Sequence, residues 1–170
     1  VVASPGRDRV FMGHTDFPGL GGPTINVATE GEILGVLQIS DDGKVYLSNA
    51  DAGHYPNVDF PLDEIRKVAI SHKSWFRSYG GGSVWSSSHW DSYIRGALAF
   101  LLAESPGVNE KIGPRGLRVY VTSGGGRALP ATGGVSSSSA LTGVLAVGLN
   151  ALFGLGLSLE QLAEVDFGEY

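Results

Sequence analysis

An α+β fold is predicted for this 170-residue chain by three features of its order. Short β-branched and aromatic runs gather early, helical patterns follow and separate them, and a Gly/Ser run opens directly into an apolar helix. With 42% hydrophobic and 17% charged residues, the composition is that of a globular chain rather than a disordered one. The length suits a single domain with a core.

Taken in order, strands are expected around residues 26–28, 33–39 and 45–48, the last two joined as a hairpin by the Asp41-Asp42-Gly43 turn. Residues 67–71 and 117–122 read as two further strands, with a Gly/Ser-rich loop between them at 79–88. A helix is expected over 89–103, because Trp90, Tyr93, Ile94, Ala97, Leu98, Leu101 and Leu102 recur at helical spacing as one apolar stripe. Pro106-Gly107 ends it. The helix after the serine run carries Leu141, Leu145 and Leu149 on one face, and its Gly143 and Gly148 permit close approach of a neighbouring layer. Ser158-Leu159-Glu160-Gln161 has the form of a capping box and starts a last helix. The chain begins at Val1 without a methionine and stops at Tyr170, soon after that helix, so it is expected to be part of a longer protein. The sequence carries no internal repeat and no sign of a second domain.

Composition excludes several chemistries. With no cysteine there is no disulfide, thiolate zinc site or cysteine nucleophile. His14, His54, His72 and His89 lack any paired metal-ligand spacing. A net charge of −5 argues against a nucleic-acid surface. No stretch reads as a signal peptide or membrane span, since the apolar run from Leu141 to Leu157 is broken by Gly143, Gly148, Asn150, Gly154 and Gly156. Neither nucleic acid nor membrane is expected as a partner, and the expected location is cytoplasmic.

Three blocks concentrate chemistry-bearing residues. In the run from Pro130 to Leu141, Gly133 and Gly134 precede four serines, Ser136 to Ser139, and the helix starts at once. Glycines allow close backbone approach, a helix start offers N–H groups to an anion, and serine hydroxyls reach phosphate oxygens or a phosphate-bound Mg²⁺. A Ser/Gly linker is the plainer alternative, but linkers do not run straight into an apolar helix. The stretch from Ser4 to Gly19 gathers Arg7, His14, Thr15 and Asp16 between Pro-Gly turns. It reads either as a polar surface loop or as a set of partners for a polyhydroxylated ligand. Trp90 and Tyr93 form an aromatic pair on a helix, a pattern commoner in cores than at cofactors. No Walker-type Gly-x-x-x-x-Gly-Lys-Ser/Thr run exists.

Together the three blocks resemble the GHMP small-molecule kinase superfamily, and within it the sugar kinases of the galactokinase, arabinokinase and fucokinase-like group. Pro5-Gly6-Arg7 followed by His14-Thr15-Asp16-Phe17 is similar to the galactokinase signature PGRVNLIGEHTDY. Pro130 to Ala140 is similar to the superfamily phosphate loop PxGxGLSSSAA, and Trp90-x-x-Tyr93-x-x-Gly96 to a recurrent galactokinase helix. The resemblance implies a ribosomal protein S5 domain 2-like N-terminal domain over residues 1–170, incomplete at its C-terminus, with the C-terminal GHMP domain absent.

That resemblance implies an ATP-dependent sugar kinase acting on an anomeric C1 hydroxyl, with ATP and Mg²⁺ as cofactors and a small sugar as the other partner. It places Gly133, Gly134, Val135, Ser136, Ser137 and Ser138 around the ATP phosphates, with Ser138 also as a Mg²⁺ ligand. Glu164, in Ala163-Glu164-x-x-Phe167, is the candidate to complete the Mg²⁺ shell. His14 and Asp16 would hold sugar hydroxyls, and Arg7 would stabilise charge on the transferred phosphoryl group. Ser139 stands where the family has its first alanine and so has no implied role. The family's catalytic aspartate follows the glutamate helix in a Gly-x-x-Asp segment that this chain does not reach, so the chain alone is expected to be inactive. Gly13 stands where galactokinases carry Glu before the His, which points away from D-galactose and toward a sugar lacking a C6 hydroxyl, such as L-arabinose or L-fucose. Gly21-Gly22 followed by Asn26-Val27-Ala28 is similar to the fucose and heptose kinase branch. A kinase-like sugar sensor without activity is the rival reading, decided by whether an aspartate occupies the missing catalytic position.

Overall fold

The computed structural model of the chain describes residues 1–11, 25–71, 89–105, 107–123, 128–130 and 135–165. Five strands form one mixed sheet: β1 (Val2–Phe11), β2 (Ile25–Ser40), β3 (Lys44–Asn49), β4 (Val58–Pro61) and β5 (Gly116–Thr122), in the order β1-β2-β5-β3-β4. β3 and β5 run parallel, with Val45 opposite Leu117 and Leu47 opposite Val119, and every other pairing is antiparallel. The helices are α1 (Leu62–Ser71), α2 (Asp91–Glu104), α3 (Val108–Ile112), α4 (Ser137–Phe153) and α5 (Leu159–Glu164).

The Asp41-Asp42-Gly43 turn joins β2 to β3, but the two strands do not pair as the hairpin expected: β5 lies between them and bonds to both. Gly43 supplies the positive φ of 71°, and Asp42 accepts hydrogen bonds from Ser40, the Lys44 N–H and Tyr46. The Ser40 bond first, then that from Tyr46, lowers the Asp42 carboxyl to about 2, and the shared bond raises the Tyr46 hydroxyl. At the other end of the fold, the Ser158 hydroxyl accepts from the Gln161 N–H at 3.3 Å while Gln161 Oε1 accepts from the Ser158 N–H at 3.0 Å, the reciprocal capping box expected.

One face of the sheet is covered and the other is open. Val45, Leu47, Leu117, Val119 and Val121 point into a core completed by Ile65, Ile94, Leu98, Leu101, Leu145 and Leu149. On the opposite face Val36 and Tyr120, paired across β2 and β5, remain about half exposed. α2 is the central helix, packed between α1 and α4. It therefore buries Gly96, Ala99, Phe100 and Ala103 besides the expected stripe, because neighbours stand on more than one side. α4 lies against β1 and β2, and the close approach expected of its glycines is present: a Cβ at Gly148 would meet the Leu37 side chain at 2.5 Å, and one at Gly143 the Ser4 hydroxyl at 2.7 Å.

Several expectations are corrected. Residues 67–71 are not a strand but the last turn and a half of α1: Leu62, Ile65 and Ala69 are buried at helical spacing, Pro61 precedes the helix, and Asp63 and Glu64 favour its first turn. The polar stretch from Ser4 begins as strand β1 rather than as a loop. Pro5 disguises this, but it is tolerated on an edge strand beside the irregularity between Pro5 and Arg7. The two strands expected between 26 and 39 are one continuous element, β2, and β4 and α3 carried no recognised signal. The 79–88 loop lies outside the described residues.

Candidate functional site

The site grows from the start of α4. Ser136 caps this helix in the left-handed region, at φ 54° and ψ 49°, with no side-chain capping bond of its own. It is the sole non-glycine residue with positive φ among the described residues. For a serine this conformation costs about 1–2 kcal/mol. The Arg7 backbone N–H donates to the Val135 carbonyl at 2.9 Å, and the Arg7 Nε donates to the Ser136 hydroxyl at 3.1 Å. A hydrogen bond from a charged donor contributes about 1.5–3 kcal/mol, enough to offset that backbone strain. Two residues 129 positions apart in the chain are thereby in direct contact.

Ser137 and Ser138 follow on the first turn of α4 and line a cleft of about 410 Å³. Its floor lies at the carboxyl ends of the two parallel strands, where Asn49 ends β3 and Ala50 follows it, and Val121 and Thr122 end β5 with Ser123 after them. Open sheets place ligands at such strand ends. The Ala50 N–H donates to the Val121 carbonyl at 3.0 Å and closes the floor. Trp90 and Tyr93 form an aromatic wall at the start of α2. The Trp90 indole N–H donates to the Pro56 carbonyl at 2.9 Å, which fixes the ring and ties the turn after β3 to α2. Asp51 and Tyr55 complete the rim, with His54 Nδ1 lying 2.9 Å from Asp51 Oδ2. The cleft thus runs from a helix start rich in hydroxyls to a flat aromatic wall. That arrangement suits a ligand with an anionic end and a planar end.

The sequence-derived residues divide clearly. Arg7, Val135 and Ser136 come together directly before Ser137 and Ser138, which line the cleft. Trp90 and Tyr93 stand at the other end, both half-buried and facing the cleft as well as the core. The Ser139 hydroxyl is buried and has no hydrogen-bond partner among the described residues. His14, Asp16, Gly133 and Gly134 lie outside the described residues. Glu164 is exposed on α5, which packs on α4, and it does not line the cleft. A Mg²⁺ site needs oxygen donors that usually include a carboxylate. The described residues bring only Ser138 of the two expected ligands to the cleft, and they gather no cluster of three His, Asp or Glu, so they do not by themselves make such a site. Asn49, Asp51, Tyr55, Thr122 and Ser123 were not foreseen. None belongs to a motif, and only the Asn49-Ala50-Asp51-Ala52-Gly53 turn composition marked the place.

A mixed sheet backed by helices, with a serine-rich helix start opening on a cleft at its parallel strand ends, defines the class. Residues 92–168 match the family model described as GHMP kinases N terminal domain. Among characterised relatives, the galactokinase of Streptomyces coelicolor is 28% identical over 168 residues, which are 97% of this chain and 35% of that protein. In fold, the chain is similar to Lactococcus lactis galactokinase solved with galactose (TM-score 0.70, 22% identity, 96% of this chain and 35% of that one). It is also similar to Methanococcus jannaschii mevalonate kinase (TM-score 0.62, 14% identity, 97% and 44%). The chain spans about a third of the length of the galactokinases it matches. No helix among the described residues is long and apolar enough to cross a membrane.

Proposed function

We propose that this chain is the N-terminal, nucleotide-binding domain of an ATP-dependent sugar kinase. The enzyme transfers the terminal phosphoryl group of ATP to the anomeric C1 hydroxyl of a galactose-like monosaccharide: galactose, L-arabinose or L-fucose. The observation that carries this reading is the contact of Arg7 with Val135 and Ser136, because it unites the two motif blocks next to Ser137 and Ser138, which line the cleft. The likeness to the Streptomyces coelicolor galactokinase supports it.

Phosphoryl transfer asks a protein chiefly for positioning and charge stabilisation. The triphosphate lies against the start of α4, where the N–H groups of a helix first turn face an anion and the Ser136, Ser137 and Ser138 hydroxyls add donors. Gly133 and Gly134 let the loop backbone close on the phosphates. The base stacks toward Trp90 and Tyr93. Arg7 faces the transferred group, and His14 and Asp16 hold sugar hydroxyls. Ser138 would be the residue of the cleft to hold a nucleotide-bound Mg²⁺, which would neutralise phosphate charge, and Glu164 would join it only if α5 were carried to the site. The catalytic base and the domain that closes over the sugar come from further chain, so residues 1–170 alone bind but do not turn over. The enzyme works as a cytoplasmic protein.

The test is ADP release by the full-length protein with Mg-ATP across D-galactose, L-arabinose, L-fucose, D-glucuronate and heptoses. Turnover on one sugar, abolished by Asp16→Ala, is the expected result. Gly13→Glu should shift preference toward galactose. Nucleotide binding without turnover on any sugar would replace the kinase by a sugar sensor on the same fold.

A further inference from the structure

We infer that Arg7 is a positioning residue of the phosphate loop, and that its pairing with Ser136 is a latch that sets the loop before any acceptor sugar arrives. The inference rests on the nucleotide reading of the cleft but adds a role that stabilisation of a transferring group does not require. Three observations carry it. Arg7 holds the segment at two consecutive points, its N–H on the Val135 carbonyl at 2.9 Å and its Nε on the Ser136 hydroxyl at 3.1 Å. The residue held is in the left-handed region, which a serine leaves readily unless its neighbours fix it. Ser137 and Ser138, which line the cleft, follow it directly, so the direction of the helix start depends on that one residue.

The neighbourhood is built for this contact. Gly6 is buried beside Arg7, and a Cβ there would meet the Val135 carbonyl at 2.7 Å and the Thr29 hydroxyl at 2.9 Å. β1 can bring its backbone this near the loop only without a side chain at that position. A hydroxyl that accepts from a guanidinium is also polarised, so its own proton becomes the better donor to an anion. Arg7 then acts on the phosphates through Ser136 as well as by its charge.

The experiment measures Mg-ADP affinity without sugar by calorimetry, and amide hydrogen exchange over residues 135–141, in the full-length protein. The variants are Arg7→Gln, Arg7→Lys, Ser136→Ala and the Arg7→Gln/Ser136→Ala double, each checked for native melting. Arg7→Gln and Ser136→Ala should each weaken ADP binding about 5- to 20-fold and speed exchange in the loop. The double variant should fall short of the product of the two singles, because the pairing they share is lost only once, while the Arg7 charge and the Ser136 hydroxyl each also meet the phosphates. Arg7→Lys should not restore affinity, since an ammonium lacks the planar fork that reaches the hydroxyl. Unchanged ADP affinity and exchange in Arg7→Gln, with only turnover lost, would overturn the inference. So would rescue by lysine or multiplicative effects in the double variant. If the wild type binds no nucleotide while Arg7→Gln still loosens the loop, the latch stands and the nucleotide reading fails.

Discussion

Ser139→Ala tests the different standing of two adjacent serines, one in the phosphate motif and one at the motif's alanine position. The Ser139 hydroxyl is buried with no hydrogen-bond partner among the described residues, while its neighbour Ser138 lines the cleft. An unsatisfied buried hydroxyl costs about 1–3 kcal/mol. Alanine removes that penalty and adds about 0.5 kcal/mol of helix propensity on the first turn of α4. The small void left behind takes back about 0.5–1 kcal/mol. The balance is a gain of about 1–2 kcal/mol, which in a chain of this size raises the melting temperature by about 3–6 °C. Differential scanning calorimetry of the wild type and variant reads this directly, with nucleotide affinity measured alongside and expected within two-fold of wild type. A melting temperature lowered by more than 2 °C, or a ten-fold loss of affinity, would show that the hydroxyl has a partner or a ligand and would refute the reasoning.

Four further outcomes are expected. Ser138→Ala should reduce phosphoryl transfer at least 100-fold in a coupled assay while shifting the melting temperature by less than 2 °C. Gly6→Ala should lower stability by about 1–3 kcal/mol, seen in urea unfolding, because the Val135 carbonyl beside it is backbone and cannot swing aside. The Asp42 carboxyl is held at about 2 in the fold against an ordinary 3.8, so its stabilising effect is full above about pH 4 and is lost as pH falls through 2. Asp42→Asn should flatten the wild type's loss of stability across that window. Arg95→Met should destabilise by about 3 kcal/mol: Arg95 Nε lies 2.7 Å from Asp91 Oδ2, with side chains 14% and 10% exposed, and the variant strands a buried carboxylate. Asp91→Asn/Arg95→Met should recover part of that loss.

Legibility followed the range of the forces involved. Elements whose identity rests on local periodicity or turn chemistry were readable: α2 and α4 from their apolar spacing, the β2–β3 turn from Asp41-Asp42-Gly43, α5 from its capping box. α1 was misread because Lys67-Val68-Ala69-Ile70 has strand-like composition, while its helical register depends on Leu62 and Ile65 one to two turns earlier. β1 was hidden by Pro5-Gly6, a pair that signals a turn unless an edge position and a close helix make it useful. At the site, the serine run and Arg7 were visible as residue types, but their contact was not, because it depends on how β1 lies under α4. The cleft floor at Asn49, Ala50 and Thr122 was invisible for the same reason: it exists only where two parallel strands end together.

β1 is an edge strand, bonded along one side to β2 and, among the described residues, to no strand along the other. The segment that steadies Val135 and Ser136 therefore lies at an edge of the sheet, where partial opening requires less free energy than global unfolding. Peeling of β1 would leave β5, β3 and the helical core intact yet slacken the start of α4. Occupancy of the cleft and closure of the sheet edge become one equilibrium, so a bound nucleotide would stitch down a strand that it need not touch.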